Sequence, residues 1–310
     1  MLSEAINPRQ HGVHAVVVTF NPRMEALRCL LDALSPQVEI ITVVDNGSVN
    51  EMQTWEPESY DNVQIHRIGT NLGIAAAHNI GIKKALDEEV DYVLLSDQDS
   101  IPTPNMVFEL RKAAEQLTAD GQQVAAVGPF FIDDKIKKSS QLIRFQGLRL
   151  IRLFQDSDGP VAEVAYLISS GCLIPKQTLK AVGLMNEALF VDYVDIDWGF
   201  RAKHRGFSSF GIFKAEMRHG IGNKPIKFMG RRFSNHSPAR HYYMMRNAIW
   251  LYKQSHAPVN WKMIDSARLA LRMCLYLVCS RNRRTDFKMM LKGLLHGSTS
   301  RLGPLPESEA

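Results

Sequence analysis

The chain has 310 residues, of which 45% are apolar and 22% charged, and its 37 basic and 32 acidic side chains leave a net charge of +5. That length can bury a full core, as one large domain or one domain plus an appendage. The small positive excess, without zinc-finger spacing or any other nucleic-acid motif, gives no reason to expect a nucleic-acid partner.

Taken in chain order, Val13 to Phe20 is a β-branched run that ends at Asn21-Pro22. Met24 to Leu34 reads as a helix stopped by Ser35-Pro36. Glu39 to Val44 is a second apolar run, closed by Asp45-Asn46-Gly47-Ser48, and Val63 to Ile68 is a short third strand. Gly73 to Leu86 is an Ala-rich helix and Tyr92 to Leu95 a fourth strand. A helix over Asn105 to Leu117 and a strand over Val124 to Val127 follow. Strands alternating with helices predict a mostly parallel sheet covered on both faces.

The polar, basic stretch 133–158 reads as an excursion or hairpin. Val164 to Ile168, Cys172 to Ile174 and Ser208 to Phe213 are strand-like, and Asp197 to Arg205 is a short helix closed by Gly206. From Arg240 to Leu291 the pattern is helical, and the tail from Ser298 is expected to fray. The domain reading is therefore 1–250 for the α/β unit and 251–310 for a helical segment. Cys29, Cys172, Cys274 and Cys279 form no C-x-x-C pair and read as reduced thiols. With no signal-peptide pattern and no run of ~20 apolar residues, the chain is expected on the cytoplasmic side.

Two acidic clusters carry the chemistry. Asp97-Gln98-Asp99 follows the strand Tyr92-Val93-Leu94-Leu95, and Asp192, Asp195 and Asp197 follow Leu189-Phe190-Val191. Two carboxylates ~5 Å apart at an effective dielectric of ~20 repel by roughly 3 kcal/mol, so they need water, a proton or a cation between them. In parallel sheets, ligands sit beyond the carboxyl ends of the strands, which places Thr19 to Asn21, Asp45 and Asp97 on one rim. If strand geometry persists, Asp97 and Asp99 leave on one face, one for a ribose and one for a metal.

Asp195 is the candidate base, although a helix N-terminus would lower its pKa. Asp197 reads as the cap of the following helix, and Asp192 stays open between structure and function. Gly69 to Gly73, before Ala75-Ala76-Ala77, fits either an anion at a helix start or tight helix packing. His219 lies in Arg218-His219-Gly220-Ile221-Gly222, and its flanking glycines and the upstream carboxylates add a metal-ligand reading to the structural one usual for a lone histidine. Arg231, Arg232, Arg240 and Arg246, interleaved with Tyr242 and Tyr243, suit phosphate groups.

These residues together resemble a family 2 glycosyltransferase of the GT-A fold over about residues 12 to 250. The matching pieces are Val18-Thr19-Phe20-Asn21, Val44-Asp45-Asn46-Gly47-Ser48, Asn71-Leu72-Gly73 with Asn79-Ile80-Gly81, Asp97-Gln98-Asp99, Ser169-Ser170-Gly171, Asp195-Ile196-Asp197 and His219. Within the family, Asp192-Tyr193-Val194-Asp195 and the block from Arg240 to Asn247 are most similar to bacterial rhamnosyltransferases. Where many members carry Glu-Asp, this chain carries Val194-Asp195.

The resemblance implies a GT-A sheet with a C-terminal helical extension, and a donor site of Thr19, Asn21, Asp45, Asn71 and Asp97. It implies Mg²⁺ or Mn²⁺ on Asp99 and His219, and Asp195 as general base. Asp192, Asp197, Trp198, Arg240, Tyr243 and Arg246 are the candidates for acceptor or phosphate contacts. The implied reaction is inverting transfer of L-rhamnose from dTDP-L-rhamnose to a lipid-linked cell-surface glycan such as O-antigen. The implied setting is the bacterial cytoplasm, peripheral on the inner face of the membrane. The basic, apolar stretch from Trp261 onward suits an anionic membrane surface or packing on the catalytic domain. Rival readings are another donor, such as UDP-galactofuranose or UDP-N-acetylglucosamine, and a non-catalytic sugar-nucleotide-binding or scaffold protein.

Overall fold

A computed structural model describes residues 10–132, 142–219, 226–228, 231–233, 237–280 and 282–306. The first half runs β1 (Gln10–Thr19), α1 (Met24–Leu34), β2 (Val38–Asp45), β3 (Val63–Arg67), α2 (Ile74–Asp87), β4 (Tyr92–Asp97), β5 (Ser100–Pro102), α3 (Met106–Ala119) and β6 (Val124–Ile132). Then come β7 (Ile143–Gln146), β8 (Arg149–Arg152), α4 (Gln155–Asp158), β9 (Val161–Val164), β10 (Cys172–Pro175), α5 (Lys176–Val182) and α6 (Val194–His204). The chain finishes with β11 (Ser208–His219), β12 (Ile226–Phe228), β13 (Arg231–Phe233), α7 (Pro238–Tyr252), α8 (Val259–Cys279) and α9 (Arg283–Ser298).

The main sheet is ordered β3-β2-β1-β4-β10-β6-β11-β5, with β9 also on β11. Its first half is parallel, as the alternation predicts. The second half is mixed, because β10 runs antiparallel between β4 and β6, and β5 and β9 run antiparallel to β11. Alternation along β1 explains why both faces are covered. Val13, Ala15 and Val17 pack with Leu27, Leu31 and Leu110 of α1 and α3. Val16 and Val18 face Ala75, Ala77 and Ile82 of α2. Gly81 lets α2 sit directly on Val16, where a Cβ would collide.

The expected hairpin is present as β7 and β8. The strand placed at Val164 to Ile168 lies a little earlier, as β9. Helix α6 starts at Val194 instead of Asp197. The C-terminal helices pack into a unit with Met245, Leu251, Trp261 and Met290 at its core, and Phe200 of α6 joins them. The boundary expected at 250 falls in the last turn of α7. The tail described as far as Pro306 does not fray, since Gly303 N–H donates to the Ala188 carbonyl at 2.8 Å and Leu305 N–H to Tyr243 Oη at 2.6 Å. Among the described residues no helix is long and apolar enough to cross a membrane.

Candidate active site

After β3 the chain returns to the other side of β1 to make β4, so the strand order reverses between β1 and β4. Loops at such a point diverge and leave a crevice at the carboxyl ends. The register confirms the expected rim: Thr19 pairs with Asp45, and Val18 with Asp97. The rim loops hold one another. Asp45 is buried and accepts from Thr19 Oγ1 at 3.2 Å, Ser48 Oγ at 2.5 Å and the Ser48 N–H. Asn21, at φ 47°, accepts from Val49 N–H at 2.8 Å. Asn46 donates to Asn71 Oδ1 at 3.0 Å, which also accepts from Gly73 N–H. Gln98 spans the rim, accepting from Phe20 N–H at 2.8 Å. Thr19 and Asp45 thus shape this wall from within, and Asn21 and Asn71 tie its outer loops.

The second acidic cluster lies on a strained segment. Phe190, Asp192 and Tyr193 have φ of 67°, 60° and 64°. Phe190 is the centre of a γ-turn closed by Val191 N–H to the Leu189 carbonyl at 2.8 Å. Left-handed side-chain-bearing residues and γ-turns of this hand cost of order 1–3 kcal/mol each, and persist only where surroundings impose them. The imposing residues come from α7, which sequence reading did not assign to this task. Asn247, fully buried, faces the carbonyls of Leu189, Val191 and Asp192 with Nδ2 at 2.9, 2.7 and 2.9 Å. Arg246, also fully buried, donates to Ala188 and Leu189 carbonyls at 3.2 and 2.8 Å, and to the Gly303 carbonyl. On its other side the segment abuts α2. The Phe190 carbonyl accepts from Ala75 N–H, and a Cβ on Gly73 would lie 2.5 Å from that oxygen. Of the two readings of Gly73, tight packing is the one observed.

This clamp delivers Asp195 to the first turn of α6, part-buried, with Oδ1 accepting from Ile196 N–H at 2.9 Å. Its carboxyl is pushed up to about 6, chiefly by burial, with the Ile196 N–H opposing the rise and the charges of Asp97 and Asp192 adding to it. Burial and like charges therefore outweigh the helix-terminus effect that the sequence suggested. The charges of Asp97, at the end of β4, and of Asp192, ahead of α6, both act on Asp195, which places the two acidic clusters near one another. Asp192 is gripped by Arg240, whose Nη2 and Nε lie 3.0 and 3.1 Å from its carboxylate oxygens.

Four expected contact residues are placed elsewhere. Asp197 is fully buried one turn inside α6, where it accepts from Arg201 Nε at 2.9 Å and pairs with His256 Nε2 at 2.8 Å, so it does not cap the helix. Trp198 is buried and donates Nε1–H to the Gly183 carbonyl at 2.8 Å. Tyr243 stacks on Phe190 at 4.8 Å, and Arg246 is consumed by backbone carbonyls. Each spends polar atoms or ring surface on the fold. Arg240 remains at the cleft.

Strand geometry does not persist past Asp97, because Gln98 and Asp99 form the turn into β5. Asp99 is part-exposed and makes no hydrogen bond or ion pair with any described residue. His219 ends β11 opposite Ser100, so its backbone adjoins the Asp99 turn. Its side chain, and those of Arg231 and Arg232, lie outside the described residues. A free carboxylate with an imidazole-bearing residue beside it fits a hard divalent ion that takes its remaining ligands from a diphosphate. Among the described residues no group of three or more candidate ligands could hold a metal without such help.

Residues 15–174, about half the chain, match the family described as Glycosyl transferase family 2. The chain belongs to that family. It is similar to the dTDP-rhamnosyl transferase RfbF of Shigella flexneri, 30% identical over 92% of this chain and 95% of that one. It also resembles the N-acetylglucosaminyl-diphospho-decaprenol L-rhamnosyltransferase of Mycobacterium tuberculosis (strain ATCC 25618 / H37Rv), 23% identical over 90% of this chain and 97% of that one. Among solved structures it is like GalNAc-T7 with UDP, GalNAc and Mn²⁺, with a TM-score of 0.56 at 12% identity. That match covers 87% of this chain but only 58% of GalNAc-T7, and it speaks to the fold alone. The chain is thus a family 2 glycosyltransferase with a GT-A-like fold and rhamnosyltransferase relatives.

Proposed function

We infer that this glycosyltransferase moves L-rhamnose from dTDP-L-rhamnose to a hydroxyl of a lipid-linked glycan, with inversion at the anomeric carbon. One observation carries the reading: Asp195, its carboxyl raised to about 6, feels the charge of Asp97, which ends β4 at the strand-order reversal. A carboxylate with a pKa near the working pH suits a general base. Asp195 takes the acceptor proton as the acceptor oxygen attacks the anomeric carbon. The bond from that carbon to the diphosphate oxygen breaks, and dTDP leaves from the opposite face. The transition state has oxocarbenium character. Asp97 receives the nucleoside, and the Asp45 and Asn71 loops form the wall beside it. Asp99 and His219 would hold Mg²⁺ or Mn²⁺, which offsets charge on the leaving diphosphate when bound.

The names of the two rhamnosyltransferase relatives support the sugar, and the decaprenol-diphosphate name supports the lipid link. A peripheral membrane position is supported by Leu271, Val278, Phe287, Leu291 and Leu295, all exposed on α8 and α9. Arg283, Arg284 and Lys288 are exposed beside them. Apolar residues edged with cations suit an anionic bilayer surface. The test is a donor panel of dTDP-L-rhamnose, UDP-galactofuranose and UDP-N-acetylglucosamine with Mg²⁺ or Mn²⁺, with and without chelator, reading free nucleoside diphosphate. Turnover of a UDP-sugar in preference to dTDP-L-rhamnose would overturn the donor assignment, and full activity in chelator would remove the ion.

A further inference from the structure

Helix α8 carries Asp265, Leu269, Arg272 and Tyr276 at three- and four-residue spacing, which is one stripe of a helix. Three of the four are fixed inward. Asp265 accepts from Tyr193 Oη at 2.9 Å and Tyr252 Oη at 2.7 Å. Leu269 lies in the core shared with α6 and α7. Tyr276 is buried and stacks on His241 at 4.2 Å. The stripe therefore faces the catalytic domain and takes Arg272 with it.

Arg272 is part-buried, yet it makes no hydrogen bond or ion pair with any described residue. Asp265, two turns earlier on the same stripe, accepts from the two tyrosines through Oδ2 and forms no ion pair with Arg272. The charge of Arg272 acts on the hydroxyls of Tyr166, Tyr193, Tyr252 and Tyr276, and Tyr166 also senses Asp195 and Arg268. Tyr193 is the residue from which α6, and so Asp195, begins. A guanidinium has five N–H donors, and a part-buried one without a protein acceptor is free to take an anion. Such a group beside an active-site cleft calls for an anion. Along α8, Met263, Leu271 and Val278 are exposed and apolar. A ligand with a phosphate at one end and a hydrocarbon chain at the other matches both features.

We propose that Arg272, with Arg268 one turn earlier, forms the subsite that holds the phosphate or diphosphate joining the acceptor glycan to its lipid. The proposal rests on the lipid-linked acceptor inferred above, and gives α8 the task of choosing acceptors by their anionic link. Arg240 stands apart from this task, because its fork is already on Asp192.

The experiment compares two acceptors bearing the same sugar, one linked through diphosphate to a short prenyl chain and one a neutral alkyl glycoside. Arg272→Gln is expected to raise KM for the diphosphate acceptor at least tenfold more than KM for the neutral one. Arg272→Lys should recover part of the difference, and Arg268→Gln should show a smaller one. Inorganic pyrophosphate should compete with the diphosphate acceptor more strongly in the wild type than in Arg272→Gln. Equal changes for both acceptors, or none, overturn the proposal. Vesicles containing phosphatidylglycerol separate the other source of phosphate: loss of vesicle binding with an unchanged KM ratio assigns Arg272 to headgroups and overturns it too. If the wild type uses the neutral acceptor and refuses the diphosphate one, the lipid-linked reading itself fails. Tighter pyrophosphate binding by wild type than by Arg272→Gln would then still support the anion subsite, and equal binding would reject it.

Discussion

The two walls of the cleft are built by opposite means. The wall formed by the ends of β1, β2 and β4 consists of short loops that satisfy one another locally, as Thr19, Asp45 and Ser48 do. The wall carrying Asp192 and Asp195 is a strained segment held by Arg246 and Asn247, more than fifty residues further along the chain. A locally satisfied loop tolerates the loss of one bond. A segment held in left-handed conformations from outside does not, since its own preferences oppose the shape it must keep. The difference teaches that binding geometry here is inexpensive in stability, whereas the position of the base depends on a remote helix.

The sharpest way to break this contrast is at the base. Asp195→Asn should lower kcat about 10²–10⁴-fold while donor affinity, measured by calorimetry, stays within about twofold. The same change should raise stability at neutral pH. A carboxyl whose folded pKa of about 6 exceeds its unfolded value destabilises the fold increasingly as pH rises through that window. Removing the charge should restore on the order of 2 kcal/mol above pH 6 and nothing near pH 3, as read from urea titrations at both pH values. A variant that is both slow and unstable at pH 7 would show that Asp195 serves structure.

Next in size is the clamp. Asn247→Ala removes the side-chain donor from the Val191 and Asp192 carbonyls, while Leu189 keeps Arg246, so it should cost about 2–3 kcal/mol in thermal or urea unfolding and lower kcat together with it. Ser48→Ala, the matching change on the other wall, should cost about 1 kcal/mol and act chiefly on donor KM. Equal effects of the two would erase the contrast.

The pH profile sharpens it further. The acidic limb of kcat/KM should fall below pH 6, and Asp97→Asn should move it to lower pH, because one charge that raises the Asp195 pKa is gone. A limb that stays put or moves up removes Asp97 from the neighbourhood of the base. The smallest effect is expected at the half-exposed Arg240–Asp192 pair. Arg240→Gln should change stability by less than about 1 kcal/mol, measured by thermal unfolding, since water screens such pairs.

Much of this could be read from the chain alone. Alternating apolar runs and their polar ends marked the strands of the parallel half and the rim of Thr19, Asp45 and Asp97, because period and turn chemistry are local properties, whereas Asp195 was singled out by the family resemblance. The structure turns Asp197, Trp198, Tyr243 and Arg246 into the fold, which no local pattern reveals. A charged or aromatic side chain beside a motif looks the same in sequence whether its polar atoms face a ligand or a buried carbonyl.

By itself, then, the sequence determined which segments are strands and helices, which carboxylates stand at strand ends, and to which family the chain belongs. Tertiary structure decided which of those carboxylates act on one another, how far burial outweighs a helix terminus at Asp195, and that Arg246 and Asn247 hold the segment while Arg272 has no hydrogen-bond or ion-pair partner among the described residues. The reason is physical: hydrogen-bond partners and desolvation are set by neighbours distant in the chain, and no local pattern encodes them.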